Sequence, residues 1–538
     1  MSVTPAALVG FLEKQAPRPL AVGEILAGFG ELSRKDRQEA GRLLEAMTRE
    51  GTLVKLKGDR YSLPRQVNLA IGKVTAHRDG YGFVARETGE DLFIPARYMR
   101  EAMDGDRVVA RVEPGWRGGK TEGRIIRVLE RAHRTTVGRY EEGRHFGYVV
   151  ASDPRLTHDL FIPADATLGA VSGQMVVARI EVYPTKNRNP EGSVVEILGA
   201  PDDPEVEILT IAHKYALPYR FPGEVLEAAQ KIPETVQEAE LVGREDLRQL
   251  PLVTIDGESA KDFDDAVAVA EEGKGGIRLW VAIADVGHYV AEGDTIDQEA
   301  LERATSVYFP GRAIPMLPER LSNGICSLNP GVDRLAMVAE MLFDREGSRV
   351  DSRFYPAVMR SRARLTYTEV RDVLAGEPAT VARYLPLVPQ LQLMVELSDR
   401  LTAMRRRRGS LDFDLPEAEV ILDLTGKPEN VVRAERNLAH RLIEECMLAA
   451  NEAVATFLTN KQAPLLYRVH EPPNLEKLQA FQEFIAHFNY GLVIEQPLDP
   501  RRLQQLLAQA AGKPEERMIN QVLLRSMKQA RYADENVG

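Results

Sequence analysis

Asp256, Asp262, Asp264 and Asp265 fall within ten residues of one another in LVTIDGESAKDFDDAVAV (252–269). Four carboxylates this close repel one another, and burying them together raises their pKa values unless cations are present. Hard oxygen donors suit Mg2+, with Mn2+ as a substitute. Two such ions about 4 Å apart can clamp the attacking and leaving oxygens of a phosphodiester in an in-line displacement. A calcium loop does not fit, since the fifth position counted from Asp262 is Ala266 and the sixth is not Gly. A solvated acidic turn is the plain alternative. The pattern predicts a strand ending at Asp256, a tight polar loop, and an alternating strand after Asp265.

The scaffold for these carboxylates has to be large. At 538 residues the chain should form about three to four domains. From Leu252 onward strands and helices alternate irregularly, with neither a Rossmann glycine fingerprint nor a P-loop, so 249–538 is expected to be one α+β block. Residues 1–65 read as a winged helix-turn-helix. Ala40, Leu43, Leu44 and Met47 recur at helical spacing between a candidate N-cap, Ser33, and Gly51, and TLVKLKGDRYSL alternates around Lys57-Gly58-Asp59 as a hairpin. Lys55, Lys57, Arg60 and Arg65 near this wing could touch phosphates, or the domain could serve packing alone.

Between them lies an internal repeat. GKVTAHRDGYGFV…DLFIPARYMREAMDGDRVVARV (72–112) returns as GRYEEGRHFGYVV…DLFIPADATLGAVSGQMVVARI (138–180), which predicts two similar β-domains, 66–131 and 132–200, followed by a connector, 201–248. Tyr81 and Phe83 are two apart and share a strand face, as do Phe146 and Tyr148, with Phe93 and Phe161 completing the two sets. Rings on a small barrel can stack bases at roughly 1–3 kcal/mol each. At least one ring per copy is expected to fill its barrel core instead. The segments resemble cold-shock domains, a type of oligonucleotide-binding (OB) barrel.

Composition narrows the field. The apolar share of 44% and charged share of 28% are those of an ordinary globular chain, which excludes disorder, collagen and coiled coil. Cys326 and Cys446 lie far apart with no ligand spacing around them, so neither a disulfide framework nor a structural zinc is expected. No apolar run is long enough to span a membrane and no signal peptide opens the chain, so a cytoplasmic protein without membrane partners is expected. A net charge of −11 means that a nucleic-acid site must be a local groove.

Several separated motifs together resemble the ribonuclease II family: TIDGESAKDFDDA, WVAIADVGHYV (280–290), TSVYFPGRAIPMLPERLSNGICSLNPGVDRLAM (305–337), AHRLIEECMLAAN (439–451) and LLRSMKQARY (523–532). The likeness covers nearly the whole chain in the family's order. It implies a processive, Mg2+-dependent, hydrolytic 3′→5′ exoribonuclease that releases nucleoside 5′-monophosphates, with two Mg2+ ions held by Asp256, Asp262, Asp264 and Asp265. It further implies that Tyr308 packs on the 3′-terminal nucleotide, that Phe413 in GSLDFD is the aromatic on the other face, and that Glu444 or Glu445 meets the terminal 2′-hydroxyl. The residues themselves leave alternatives open, since Tyr308 could be a core tyrosine and Phe413 could be buried in a strand. The run Arg405 to Arg408 could be a solvated face or line an RNA path, while His440 and Cys446 are assigned to packing.

The expected partner is the 3′ end of single-stranded RNA, and the expected state is a monomer. Family members continue through a Ser-Pro-Ile-Arg-Arg segment and a further RNA-binding barrel, so the resemblance implies that the site's arginine is missing from these 538 residues, the sequence being either a fragment or a product that has lost part of its site. Two rival readings follow. One is a non-catalytic RNA-binding regulator that retains the barrels; the other is a different two-metal enzyme, such as a phosphatase or nucleotidyl transferase.

Overall fold

The computed structural model describes residues 3–14, 18–30, 33–86, 91–99, 101–113, 121–185, 188–273, 275–413, 417–423, 425–434, 436–495 and 498–537. The chain divides into two compact units, Met1–Tyr219 and Arg220–Gly538.

In the first unit, helices Pro5–Lys14, Val22–Ala27 and Arg34–Arg49 bury Leu8, Leu12, Ile25, Leu44 and Met47 beside a small sheet. Ser33 caps the third helix, its Oγ accepting from the Asp36 amide at 3.2 Å. The wing turns at Gly58 and Asp59, both at positive φ, as a tight two-residue hairpin requires. A third strand, Leu20–Ala21, pairs with Arg60–Ser62; two residues are too few to show a period in sequence. Near the wing, Lys55 pairs with Asp59 at 2.9 Å, Arg65 pairs with Glu13, and Arg60 donates to the Pro19 carbonyl at 3.1 Å.

Two closed five-stranded barrels follow. The repeat holds down to strand register, with Phe83 opposite Phe93 in the first barrel and Tyr148 opposite Phe161 in the second. Val84, Leu92 and Ile94 fill one core, and Val149, Leu160 and Ile162 the other. The expectation that at least one of the repeated rings in each copy is core fails. Tyr81, Phe83, Phe93, Tyr148 and Phe161 are half-buried, Phe146 is exposed, and none belongs to a core cluster. Strand alternation sets them opposite the inward valines and isoleucines. The second core takes Tyr140 instead, which Gly147 makes possible: a Cβ there would lie 2.3 Å from that ring. Helix Pro204–Lys214 packs Val206 against Val137, Met175 and Val177 of the second barrel.

The second unit is built on a seven-stranded mixed sheet in the order Glu245–Asp246, Arg349–Arg360, Asp333–Phe343, Gly276–Ala284, Asp265–Glu272, Val253–Asp256, Ala363–Thr366. The outermost pairings are parallel and the inner ones antiparallel. On one face Val267 and Val269 meet helices Tyr367–Ala375, Val388–Arg408 and Leu438–Asn460. On the other, the smaller Ala266, Ala268, Ala282 and Ala284 admit helices Gly223–Gln230 and Thr295–Arg303 and the turn Arg320–Ile325. The strand after Asp265 is therefore buried on both faces rather than alternating.

A further cluster gathers helices Leu475–Ala486, Pro500–Ala510 and Glu516–Ser526 around Phe481, Ile485, Leu503 and Leu523. Phe413 packs half-buried on this cluster and is not in a strand. Gly409 ends the long helix in the left-handed conformation, and among the described residues the next strand is Ala418–Leu422. Arg405 to Arg408 form the last turn of that helix, where the dipole favours cations. Among the described residues no helix is long and apolar enough to cross a membrane.

Candidate active site

Two neighbouring strands bring the four aspartates together. Asp256 ends Val253–Asp256, Asp265 begins Asp265–Glu272, and the loop between them carries Asp262 and Asp264. The loop is held from outside by hydrogen bonds. Asp264 accepts at its carbonyl from the Ala284 amide at 2.9 Å, and Arg364 donates to the Gly257 and Glu258 carbonyls at 2.7 and 2.8 Å. Ser327 reaches the same loop: the Phe263 amide donates to its Oγ at 3.0 Å, and that Oγ donates to the Lys261 carbonyl at 3.0 Å.

The electrostatics are those of crowded, underpaired carboxylates. Burial, then the nearby Asp265, pushes Asp256 up to about 7, with Arg364 opposing the shift in part. Its Oδ2 is buried without a hydrogen-bond partner. Burial and Asp264 raise Asp265 to about 6. Asp264 is exposed in side-chain area, yet the protein mass around it and Asp262 still raise its pKa. Burial, reinforced by Asp256 and Asp265, pushes the Tyr367 phenol up to about 12. His440 stacks on Tyr367 with centroids 3.8 Å apart and its Nδ1 lies 3.0 Å from Asn437 Oδ1, and Cys446 is buried.

The donor set fits a hard divalent cation. An orphaned buried carboxylate oxygen and two carboxylates held near neutral pKa are groups that a bound positive charge would satisfy. Among the described residues no three Asp, Glu, His or Cys side chains already converge as a formed metal cage.

Tyr308 lies on the hairpin Val307–Phe309/Arg312–Ile314, 67% exposed, and its hydroxyl donates to Asp262 Oδ2 at 3.0 Å. That exposure removes the core-tyrosine alternative. Phe413 lines an apolar groove with Leu411, Pro472, Ile494 and Leu503. Glu444 and Glu445 are adjacent on helix Leu438–Asn460 but differently placed. Glu445 is buried, accepting from Thr402 Oγ1 at 3.0 Å and pairing with Arg405 at 3.1 Å, whereas Glu444 is exposed and pairs with Arg436 at 2.6 Å. Both line a cavity of about 510 Å³ with Arg405, Arg406, Arg436 and Arg441.

In the barrels, Tyr81, Phe83 and Phe93 touch one another with centroids 5.6 to 6.0 Å apart, and His77 stacks on Tyr81 at 4.4 Å. Phe146 and Phe161 sit 5.0 Å apart. Sequence reasoning missed Ser327, Arg364, Tyr367 and Glu258, the last of which accepts from Thr368 Oγ1 at 2.6 Å. Ser327 and Arg364 act on the loop from more than sixty residues away, and no local spacing signals such a contact.

Comparison with known proteins agrees with this architecture. The RNB domain family matches residues 244–538, the ribonuclease B OB domain 72–128 and the cold shock domain 148–222. Ribonuclease R of Escherichia coli is 42% identical over 498 residues, 92% of this chain and 61% of its own length. The Thermotoga maritima ribonuclease R is 38% identical over 97% of this chain and 74% of its own length. The structure of Mycoplasma genitalium RNase R in complex with ribose-methylated single-stranded RNA superposes with a TM-score of 0.80 at 29% identity, over 86% of this chain and 74% of that one. The chain thus spans about three fifths of the length of the Escherichia coli relative. With two consecutive OB-type barrels ahead of an RNB domain that fills more than half of its length, the chain belongs to the RNB family, in its ribonuclease R branch.

Proposed function

We propose that this chain is a hydrolytic, processive 3′→5′ exoribonuclease of the cytoplasm that acts on single-stranded RNA and releases nucleoside 5′-monophosphates. The observation that carries the reading is the cluster of mutually repelling aspartates, three of them half-buried, with Asp256 Oδ2 unpartnered. Asp256, Asp262, Asp264 and Asp265 would hold Mg2+, two ions or Mn2+ in their place. When bound, the metal supplies charge neutralisation and water activation for phosphodiester hydrolysis.

The chain's own residues do the rest. Tyr308, exposed and tethered through its hydroxyl to Asp262, presents a ring on which the 3′-terminal nucleotide stacks, so that the last phosphodiester lies beside the carboxylates. Glu444, exposed on its helix beside Arg436, is the acidic residue we assign to the terminal 2′-hydroxyl, because Glu445 is buried against Arg405 and Thr402. The outward rings of the two barrels grip the single strand by stacking, without regard to sequence. Support for an RNA substrate comes from the RNA-bound Mycoplasma genitalium relative.

The test is a time course with single-stranded RNA labelled at its 5′ end, in Mg2+ and in EDTA. Mg2+-dependent shortening from the 3′ end with release of 5′-monophosphates is expected. Inorganic phosphate or a lengthened strand as product would assign another two-metal chemistry, and tight RNA binding with no cleavage in Mg2+ or Mn2+ would leave a binding regulator.

A further inference from the structure

The acidic loop poses a mechanical problem. Four like charges would spread apart, yet residues 257–264 lie outside both flanking strands. What opposes the spreading is concentrated at Ser327, which is fully buried. Its hydroxyl uses both of its roles on the loop, accepting from the Phe263 amide and donating to the Lys261 carbonyl, each at 3.0 Å. These are the two peptide groups on either side of Asp262. The next residue continues the strap, since the Leu328 amide donates to the Phe263 carbonyl at 2.8 Å.

Ser327 is itself held. Buried Arg334, on strand Asp333–Phe343, donates from Nε to the Ser327 carbonyl at 2.8 Å and from its terminal nitrogen to the Gly324 carbonyl at 3.1 Å. A rigid sheet strand thus fixes the serine, and the serine fixes the backbone between Asp262 and Asp264.

We propose that Ser327 is a positioning residue for the metal-holding aspartates: its hydroxyl sets the spacing of the acidic loop, and Arg334 sets the hydroxyl. The proposal rests on the metal-site reading above. It makes Mn2+ affinity, rather than RNA grip, the property that depends on Ser327.

The experiment titrates Mn2+ into the full chain and into Ser327→Ala, Ser327→Cys and Asp256→Asn, following bound Mn2+ by electron paramagnetic resonance. Asp256→Asn identifies which bound Mn2+ belongs to the aspartates. Ser327→Ala should lower affinity at that site roughly tenfold to a hundredfold, the usual scale for losing a group that orients metal ligands. Ser327→Cys, similar in size but a weak hydrogen-bonding group, should fall between it and the parent. Affinity for single-stranded RNA in EDTA should stay within about twofold, since stacking and phosphate contacts are untouched. Should the alanine variant not fold, the cysteine variant still decides. Parental Mn2+ affinity in a folded Ser327 variant overturns the positioning role and leaves the metal site standing. A parent chain that binds no Mn2+ overturns both.

Discussion

Replacing Asp256 by Asn should make the metal-free chain more stable at alkaline pH while removing its response to metal. The Asp256 carboxyl stands at about 7 against an ordinary 3.8, a rise of about three units, or about 4 kcal/mol at 1.36 kcal/mol per unit. The group is half-buried rather than sealed, so solvent screening reduces this to about 2 kcal/mol. The amide keeps the shape and leaves a polar atom as poorly satisfied as before, for a net gain of about 1–2 kcal/mol. The sign follows from linkage: a carboxyl whose folded pKa is raised binds its proton more tightly when folded. The parent therefore loses stability as pH climbs from about 4 through about 7, and the variant is spared that part of the loss. Urea denaturation in EDTA should show parent and variant alike near about pH 4 and the variant more stable near about pH 8. Adding Mg2+ at the higher pH should reverse the order, because only the parent gains binding free energy. A variant less stable than the parent near about pH 8 in EDTA would refute the reasoning and make Asp256 a structural carboxylate.

Asp264→Asn should slow cleavage by at least on the order of 10²–10³ with RNA affinity nearly unchanged, and cleavage at the parental rate in Mg2+ would take Asp264 out of the mechanism. Tyr308→Ala should cost roughly 1–3 kcal/mol of stacking on the terminal nucleotide, so short products dissociate earlier and the limit product on a sequencing gel lengthens; unchanged length and rate would leave the ring without a role. Phe83→Ala combined with Phe146→Ala should weaken single-strand RNA binding in fluorescence anisotropy while both barrels keep their melting behaviour, because neither ring is in a core cluster. Loss of barrel structure in that double variant would mean that the outward rings carry packing after all.

Local patterns were the legible part of this fold. The repeat showed two barrels because each strand's alternation and the DLFIP segment recur at fixed spacing, and the strand-loop-strand frame of the aspartates showed because short apolar runs flank a polar loop between Leu252 and Val269, although the second run is buried on both faces. Where the reading slipped, something non-local decided. The repeated rings looked as if one per copy should be core, but the second barrel's interior is closed by Tyr140 over Gly147, a fit between two strands that neither strand announces alone. By its sequence alone Phe413 could be buried in a strand, whereas its ring packs half-buried on a cluster of helices brought in from residues 475–526, which nothing near position 413 announces.

The site divides along the same line. Which residues carry charge was visible in the sequence; which of them remain available was not. Glu444 and Glu445 are chemically identical neighbours that line one cavity, and one residue of helix rotates a side chain by about 100°, so Glu445 is buried on Thr402 and Arg405 of helix Val388–Arg408 while Glu444 is exposed beside Arg436. Availability is decided by Arg405 and Thr402, some forty residues earlier in the chain. The acidic loop follows the same logic in reverse. Its charge pattern tells only that the segment resists being folded, and the groups that hold it, Ser327 and Arg364, come from distant strands and turns that the sheet topology brings alongside. A cluster that lowers the stability of its own unit and is braced by both Ser327 and Arg364 fits a binding site better than a solvated acidic turn, because a turn left in water would need neither the partial burial nor the braces.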